Sequence, residues 1–236
     1  MKNNIYITTL IVLLLTSCEK KSNFDNFTAR SFGLNGNIEK LSERRYPASF
    51  KNDSILEAED IAGKIKIHKY FDTQNTLVKT ETYDSKGELL SETIVKDNIS
   101  SKYIGSKTYN INGILTIESS VVESTDTSLV IQDLNINQNS TSLSELIYNK
   151  NKLLINTRTH LNDTTFLEWT FFRNKKGEIL YTRMIDKFGS MRDTAFLLAK
   201  YLEFDSVGNW TKRIDINKDK PDKIYVHERK IVYRVE

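Results

Sequence analysis

Backbone reversals recur along this chain at a step of 12 or 13 residues nearly everywhere, with one longer interval before Asp205. The clearest is Tyr83-Asp84-Ser85-Lys86-Gly87-Glu88-Leu89. An aspartate side chain can accept a hydrogen bond from the backbone two residues on and so start a turn. Ser85 and Lys86 suit the centre of a type I turn. Gly87 can take the left-handed conformation that follows, which makes a hairpin with a bulge. Phe204-Asp205-Ser206-Val207-Gly208-Asn209-Trp210 has the same form, and Tyr109-Asn110-Ile111-Asn112-Gly113-Ile114-Leu115 has Asn for Asp. Phe71-Asp72-Thr73-Gln74-Asn75-Thr76-Leu77 carries Asn at the glycine position, the best non-glycine choice for φ > 0. Asp186-Lys187-Phe188-Gly189 keeps only the turn core, and Phe172-Arg173-Asn174-Lys175-Lys176-Gly177 reads as one residue longer.

With weaker signals filling the gaps, turns start near 72, 84, 97, 110, 124, 137, 149, 162, 174, 186, 205 and 217. A turn of about four residues leaves about eight for a strand, an ordinary length. Turns at this spacing without helical crossovers predict an all-β, up-and-down antiparallel meander of about a dozen strands. A sheet that large must twist strongly, curl or close. The expectation is one long, curled meander, most apolar near residues 164–216. Residues 190–203 also read as a helix capped by Ser190, but their aromatic content and the Asp205 turn that follows favour strand. Ile38 to Tyr46 reads as the first strand, and residues 51–62 as a loop or one helical turn.

This turn repeat resembles the YD-repeat (Rhs-like) and MORN-like β-repeat proteins. The closing stretch, Glu203 to Arg213 followed by Glu228 to Tyr233, looks like the end of small lipoproteins of Bacteroidetes type. So does the opening Gly33-Leu34-Asn35-Gly36-Asn37-Ile38. The resemblance covers residues 30 to 236. It implies a β-repeat envelope protein whose repeat-turn residues are Asp72, Asp84, Gly87, Asn110, Gly113, Gly177, Gly189, Asp205 and Gly208. It brings no catalytic residue, because such repeats are scaffold.

The N-terminus fits export. Ile5 to Leu15 is an apolar run too short to cross a bilayer comfortably. It ends in Leu15-Thr16-Ser17-Cys18, which resembles the lipobox of bacterial lipoproteins. Residues 1–17 are then a signal peptide, Cys18 the acylated first residue of the mature chain, 18–29 a flexible tether and 30–236 one β domain. The acyl chains would hold the protein to a lipid bilayer, at about 0.8 kcal/mol per buried CH₂. The expected location is the outer membrane, facing the periplasm or the cell surface. Cys18 is the one cysteine in the chain, so no intrachain disulfide or cysteine metal site can form.

Composition narrows the function. Net charge is +3, and removing Lys2 with the signal peptide leaves +2, with both signs interspersed. Nucleic acid is not an expected partner. His68, His160 and His227 lie far apart without metal-ligand spacing, so no metal site is expected, and no glycine-rich phosphate loop points to a cofactor. Glu168 beside Trp169, and Glu203 beside Tyr201 and Phe204, are the carboxylates nearest an aromatic setting for a glycosidase, with solvated strand residues as the plain alternative. Ser54, Thr164, Thr194 and Ser206 follow aspartate in a pattern resembling Bacteroidetes O-glycosylation sites, although Asp-Ser and Asp-Thr also start turns. Trp169 and Trp210 offer an aromatic platform for a glycan or peptide, or simple core packing. The chain reads as a non-enzymatic, membrane-anchored binding or scaffold module for a protein or glycan. An accessory or immunity-type protein of a toxin or secretion system is the second reading, and a cryptic glycan hydrolase the third.

Overall fold

The computed structural model describes residues 27–51, 54–57, 64–97, 102–222 and 224–235. Cys18, the signal peptide and the tether up to residue 26 lie outside them. The strands are β1 (Ile38–Lys51), β2 (Ser54–Glu57), β3 (Ile65–Phe71), β4 (Leu77–Tyr83), β5 (Leu89–Asp97), β6 (Tyr103–Asn110), β7 (Leu115–Ser124) and β8 (Ser128–Asn135). They continue with β9 (Ser140–Tyr148), β10 (Leu154–Asn162), β11 (Thr165–Arg173), β12 (Ile179–Phe188), β13 (Met191–Phe204), β14 (Trp210–Asn217) and β15 (Ile224–Tyr233). Every pairing is antiparallel, and from β3 to β15 each strand pairs with the next.

The sheet is not an open meander. β1 pairs with β15 from Ile38↔Tyr233 to Ala48↔Ile224 and with β3 from Lys40↔Tyr70 to Arg45↔Ile65. β1 and β3–β15 therefore close a barrel of 14 strands. The twelve turns separate β3 to β15, and β1 is the strand that joins the ends. Accumulated twist brings the two edges together, and closure removes the unpaired backbone groups both would expose. β2 lies outside the ring and pairs with β1 beyond the end of β3, from Ala48↔Glu57 to Lys51↔Ser54. The first strand is thus longer than Ile38–Tyr46, and residues 54–57 are strand rather than a helical turn. Residues 191–204 form one 14-residue strand, β13.

The turns share one chemistry. Oδ1 of Asp72, Asp84, Asn110, Asn149, Asn174 and Asp205 accepts the backbone N–H groups two and four residues on, at 2.8–3.1 Å. Three residues after each of these, Asn75, Gly87, Gly113, Lys152, Gly177 and Gly208 have φ between +59° and +87°. Two readings change. The turn at Asn174 is of standard length: Arg173 takes the place that Tyr83 holds before Asp84, with the same register shift before it. Asp186 is not a turn residue: it sits inside β12, paired with Asp193, and the reversal is Gly189-Ser190. Gly87 has φ +85° with nothing near the site of a Cβ, so Gly87→Val meets backbone strain alone. It should cost about 1 kcal/mol, a drop of about 2–4 °C in Tm. An unchanged melting curve would contradict this.

Period-two alternation and the register assign the two faces. About eight strands leave a barrel interior that side chains can just fill, and larger rings open a lumen. With 14 strands the lumen is only partly filled. Its wall across β4–β10 carries small hydroxyl residues, of which Thr93 meets Thr108 and Ser144 meets Thr159 at 2.9 Å. One end is closed by the segment Phe27–Leu34, which contains a short 3₁₀ turn, Ala29–Phe32. Ala29 and Leu34 bury against Ile38, Leu41, Phe71 and Leu77. Phe27 tilts onto Tyr103 at 4.9 Å within a second cluster, Tyr103, Leu129, Ile131 and Tyr148. Backbone bonds from Ala29 N to Asn75 O and from Leu77 N to Phe27 O seat this plug. A third cluster lies on the outer face, where Tyr46, Ala48, Ile214, Ile224 and Val226 pack with Ile55 of β2.

Residues 164–216 are not the most apolar part of the core. Leu180, Phe188, Met191, Leu198, Leu202 and Phe204 are all exposed. One side of β13 faces the lumen, where Leu197 is buried, and the other side leaves Leu198 and Leu202 exposed among the described residues.

Candidate ligand site

The plug end of the lumen holds a cavity of about 770 Å³ between Arg30–Asn35 and the wall formed by β10–β15. Phe171, Arg173, Tyr201, Trp210, Arg213 and Arg229 face it. It opens between the plug and the turns that carry Asn151, Lys175, Lys176 and Gly208.

Each group is held by its strand register. Arg173 ends β11 at a bulge, and its guanidinium donates to Leu154 O at 3.0 and 3.1 Å and to Gly177 O at 2.7 Å. Tyr201 Oη accepts the N–H of Ile179 at 2.7 Å. Trp210 meets Tyr201 edge-on at 5.9 Å. The Arg229 guanidinium lies 3.6 Å from the Trp210 ring centre and that of Arg213 lies 4.9 Å from it. Arg229 Nε donates to Glu43 Oε1 at 2.9 Å, and Lys69 bonds the other oxygen of that carboxylate. Arg213 Nη2 donates to Asp215 Oδ2 at 3.0 Å, and His227 Nε2 stands 3.0 Å from the same oxygen.

Cations exceed anions in this part of the lumen. Among the described residues, Arg30, Arg173, Lys175, Lys176, Arg213 and Arg229 line the cavity against one carboxylate, Glu178, with Glu43 and Asp215 bonded behind Arg229 and Arg213. Burial, and then the mutual repulsion of Arg173, Arg213 and Arg229, pulls the Arg173 and Arg229 guanidiniums below their usual range. Arginine stays charged all the same. Nη1 of Arg229 is buried without a hydrogen-bond partner. Burial would raise the Glu43 and Asp215 carboxyls, but the neighbouring cations outweigh it and hold both below normal.

The outer face is also charged. Lys79 pairs with Glu92, Lys96 with Glu118, Arg183 with Glu168, and Lys212 with Glu228, while Arg158 also bonds Glu168. Burial would raise the Glu81 carboxyl, but Lys79 and the Tyr70 and Tyr83 hydroxyls bring it down to about 2. A groove of about 960 Å³ crosses β15, β1 and β3 on this side, edged by Lys40, Lys66 and Lys230.

The residues singled out by sequence are scattered. His68 lies on the outer face, 3.6 Å from Glu81, while His160 is on that face beside Phe166 and His227 is in the lumen. Among the described residues no three His, Cys, Asp or Glu side chains could hold a metal ion. Glu168 is clamped by two arginines that outweigh burial and lower its pKa, and Glu203 is exposed. Thr164 and Ser206 are exposed in turns, Thr194 is exposed in β13, and Ser54 lies in β2. Trp210 joins the cavity, while Trp169 faces the lumen further from the plug. The lumen arginines, and Asn209, which ties Asn35 to Tyr233, were missed. The Arg213-x-Asp215 and His227-x-Arg229 alternation was the available signal.

No protein-family model matches the chain, and no curated protein matches it in sequence. Among solved structures it is similar to a porin-like protein from Bacteroides uniformis, with a TM-score of 0.52 and 9% identity, over 89% of this chain and 99% of that one. A LolA superfamily protein from Nitrosomonas europaea aligns over 89% of this chain and 95% of its own, with a TM-score of 0.31 and 10% identity. Neither is described as a YD-repeat or MORN-type protein. The first likeness supports the antiparallel barrel fold; the second, at that score, adds nothing to it.

Proposed function

We propose that this protein is a non-catalytic, ligand-binding barrel of the bacterial envelope, tethered through an acylated Cys18 and standing outside the bilayer. The outer face carries this reading. A barrel in lipid shows an apolar belt about 25 Å tall, and each Arg or Lys near its midplane costs about 2–4 kcal/mol. Here paired charges occupy mid-strand outer positions on β4, β5, β7, β10, β11 and β12. Although a porin-like protein shares its fold, this barrel suits water outside and has a plugged lumen inside. The downward shifts of Glu43, Glu168 and Asp215 also favour binding over hydrolysis, since no acid among these is kept protonated for proton donation.

Cys18→Ser tests the reading. The variant should leave the membrane fraction as a soluble β-rich monomer. Retention in membranes after an alkaline carbonate wash would contradict it.

A further inference from the structure

We propose that the plug-end cavity binds a sugar-sized ring bearing an oxyanion, carboxylate or phosphate, as in an acidic saccharide. The inference rests on the binding role above and names its ligand class.

Four features select this chemistry. Arginine presents a planar fork of donors matched to carboxylate and phosphate. Arg173, Arg213 and Arg229 converge on one cavity where cations outnumber carboxylates. Arg229 Nη1 is a buried donor without a protein acceptor, and its guanidinium carbon lies 3.6 Å from the Trp210 ring centre. Glu43 and the Trp210 ring hold that guanidinium between them, so an incoming oxyanion meets a donor already in place.

The rest of the wall suits a ring. Phe171 and Tyr201 offer flat apolar faces, and the volume of about 770 Å³ admits a short saccharide. A long acyl chain would lie against guanidinium, amide and hydroxyl groups, which it cannot satisfy. Arg30, Lys175 and Lys176 stand at the mouth and would draw an anion in.

The test uses the full chain in mild detergent. Trp169→Phe leaves Trp210 as the sole tryptophan, and its fluorescence reports the cavity. Trigalacturonate, glucose 1-phosphate, neutral galactobiose and inorganic phosphate are titrated in parallel. One or both acidic sugars should saturate the signal at least 10-fold more tightly than galactobiose or inorganic phosphate, and whichever binds tighter identifies the oxyanion. Arg30→Glu with Lys176→Glu, both with exposed side chains, should weaken that binding about 10-fold without changing Tm. Equal binding of galactobiose, equal binding of inorganic phosphate, or no response to either acidic sugar at millimolar concentration would overturn the proposal. Any of those results, alongside a soluble Cys18→Ser barrel, would leave the binding role standing and remove only this ligand class.

Discussion

Gly105→Ala is expected to lower unfolding free energy by about 3 kcal/mol or more, the largest loss from a Gly→Ala change among the described glycines. Gly105 lies inside β6 with φ +145°, a conformation L side chains rarely adopt. A Cβ there would stand 2.2 Å from the Ser119 carbonyl oxygen on β7. That oxygen belongs to the backbone of a paired strand, so it cannot swing aside as a side chain would. Overpacking costs about 1–3 kcal/mol and forced backbone strain a similar amount. A urea titration measures the sum, and a loss under about 1 kcal/mol would contradict the β6–β7 geometry. Gly87→Val adds a larger side chain at a lower cost, because its turn is open.

Glu43→Leu should cost about 3 kcal/mol. It leaves Arg229 and Lys69 without their shared carboxylate inside the barrel. Breaking a buried pair from one side costs about 3–5 kcal/mol, and the low end applies because 25% of the Glu43 side-chain surface still meets lumen water. The outer pair of Lys96 and Glu118 gives the contrast. Lys96→Ala should cost far less, since both partners are about one-third exposed and solvent screens the pair. Equal losses would mean that the lumen is as open to solvent as the outer wall.

The same groups set the acid limit. Glu43 and Glu81 have lowered folded-state pKa values, so their stabilisation is complete above the ordinary 4.5. It is lost as pH falls toward the folded values, about 2 for Glu81. Burial lowers His227 and His68 below 6.5, so a shallow loss begins there as the unfolded chain takes up protons first. Melting temperature should therefore sag slightly below pH 6.5 and fall steeply below 4.5.

The turns were legible because each is written locally, in an Asx side chain and a residue tolerant of φ > 0. Lys152 was harder to see. It takes φ +62° at a glycine-type position, and nothing in a lysine signals that. Closure was one of the outcomes so large a sheet allowed, but nothing local chose it over curling. The seam pairs Arg44 with Glu228, residues too far apart in sequence for any local pattern to join them. The face assignment inverted the usual rule. Ile214 and Val226 are apolar, yet they bury on the outside with Ile55, while the polar Arg213, Asp215, His227 and Arg229 face inward. Alternation shows that two faces differ; it does not show which one encloses the lumen. The cavity depended on that choice, so it stayed hidden although Trp210 was already in view.

The most direct test of a barrel standing in water is a depth measurement at Gln132. This exposed residue lies mid-strand on the outer face of β8, between the charged strands β7 and β9. Gln132→Cys, labelled with a polarity-sensitive dye in the acylated protein on vesicles, should emit as in water and resist quenching by nitroxide groups on the lipid tails. Blue-shifted emission quenched by those lipids would place the wall inside the bilayer and contradict the account.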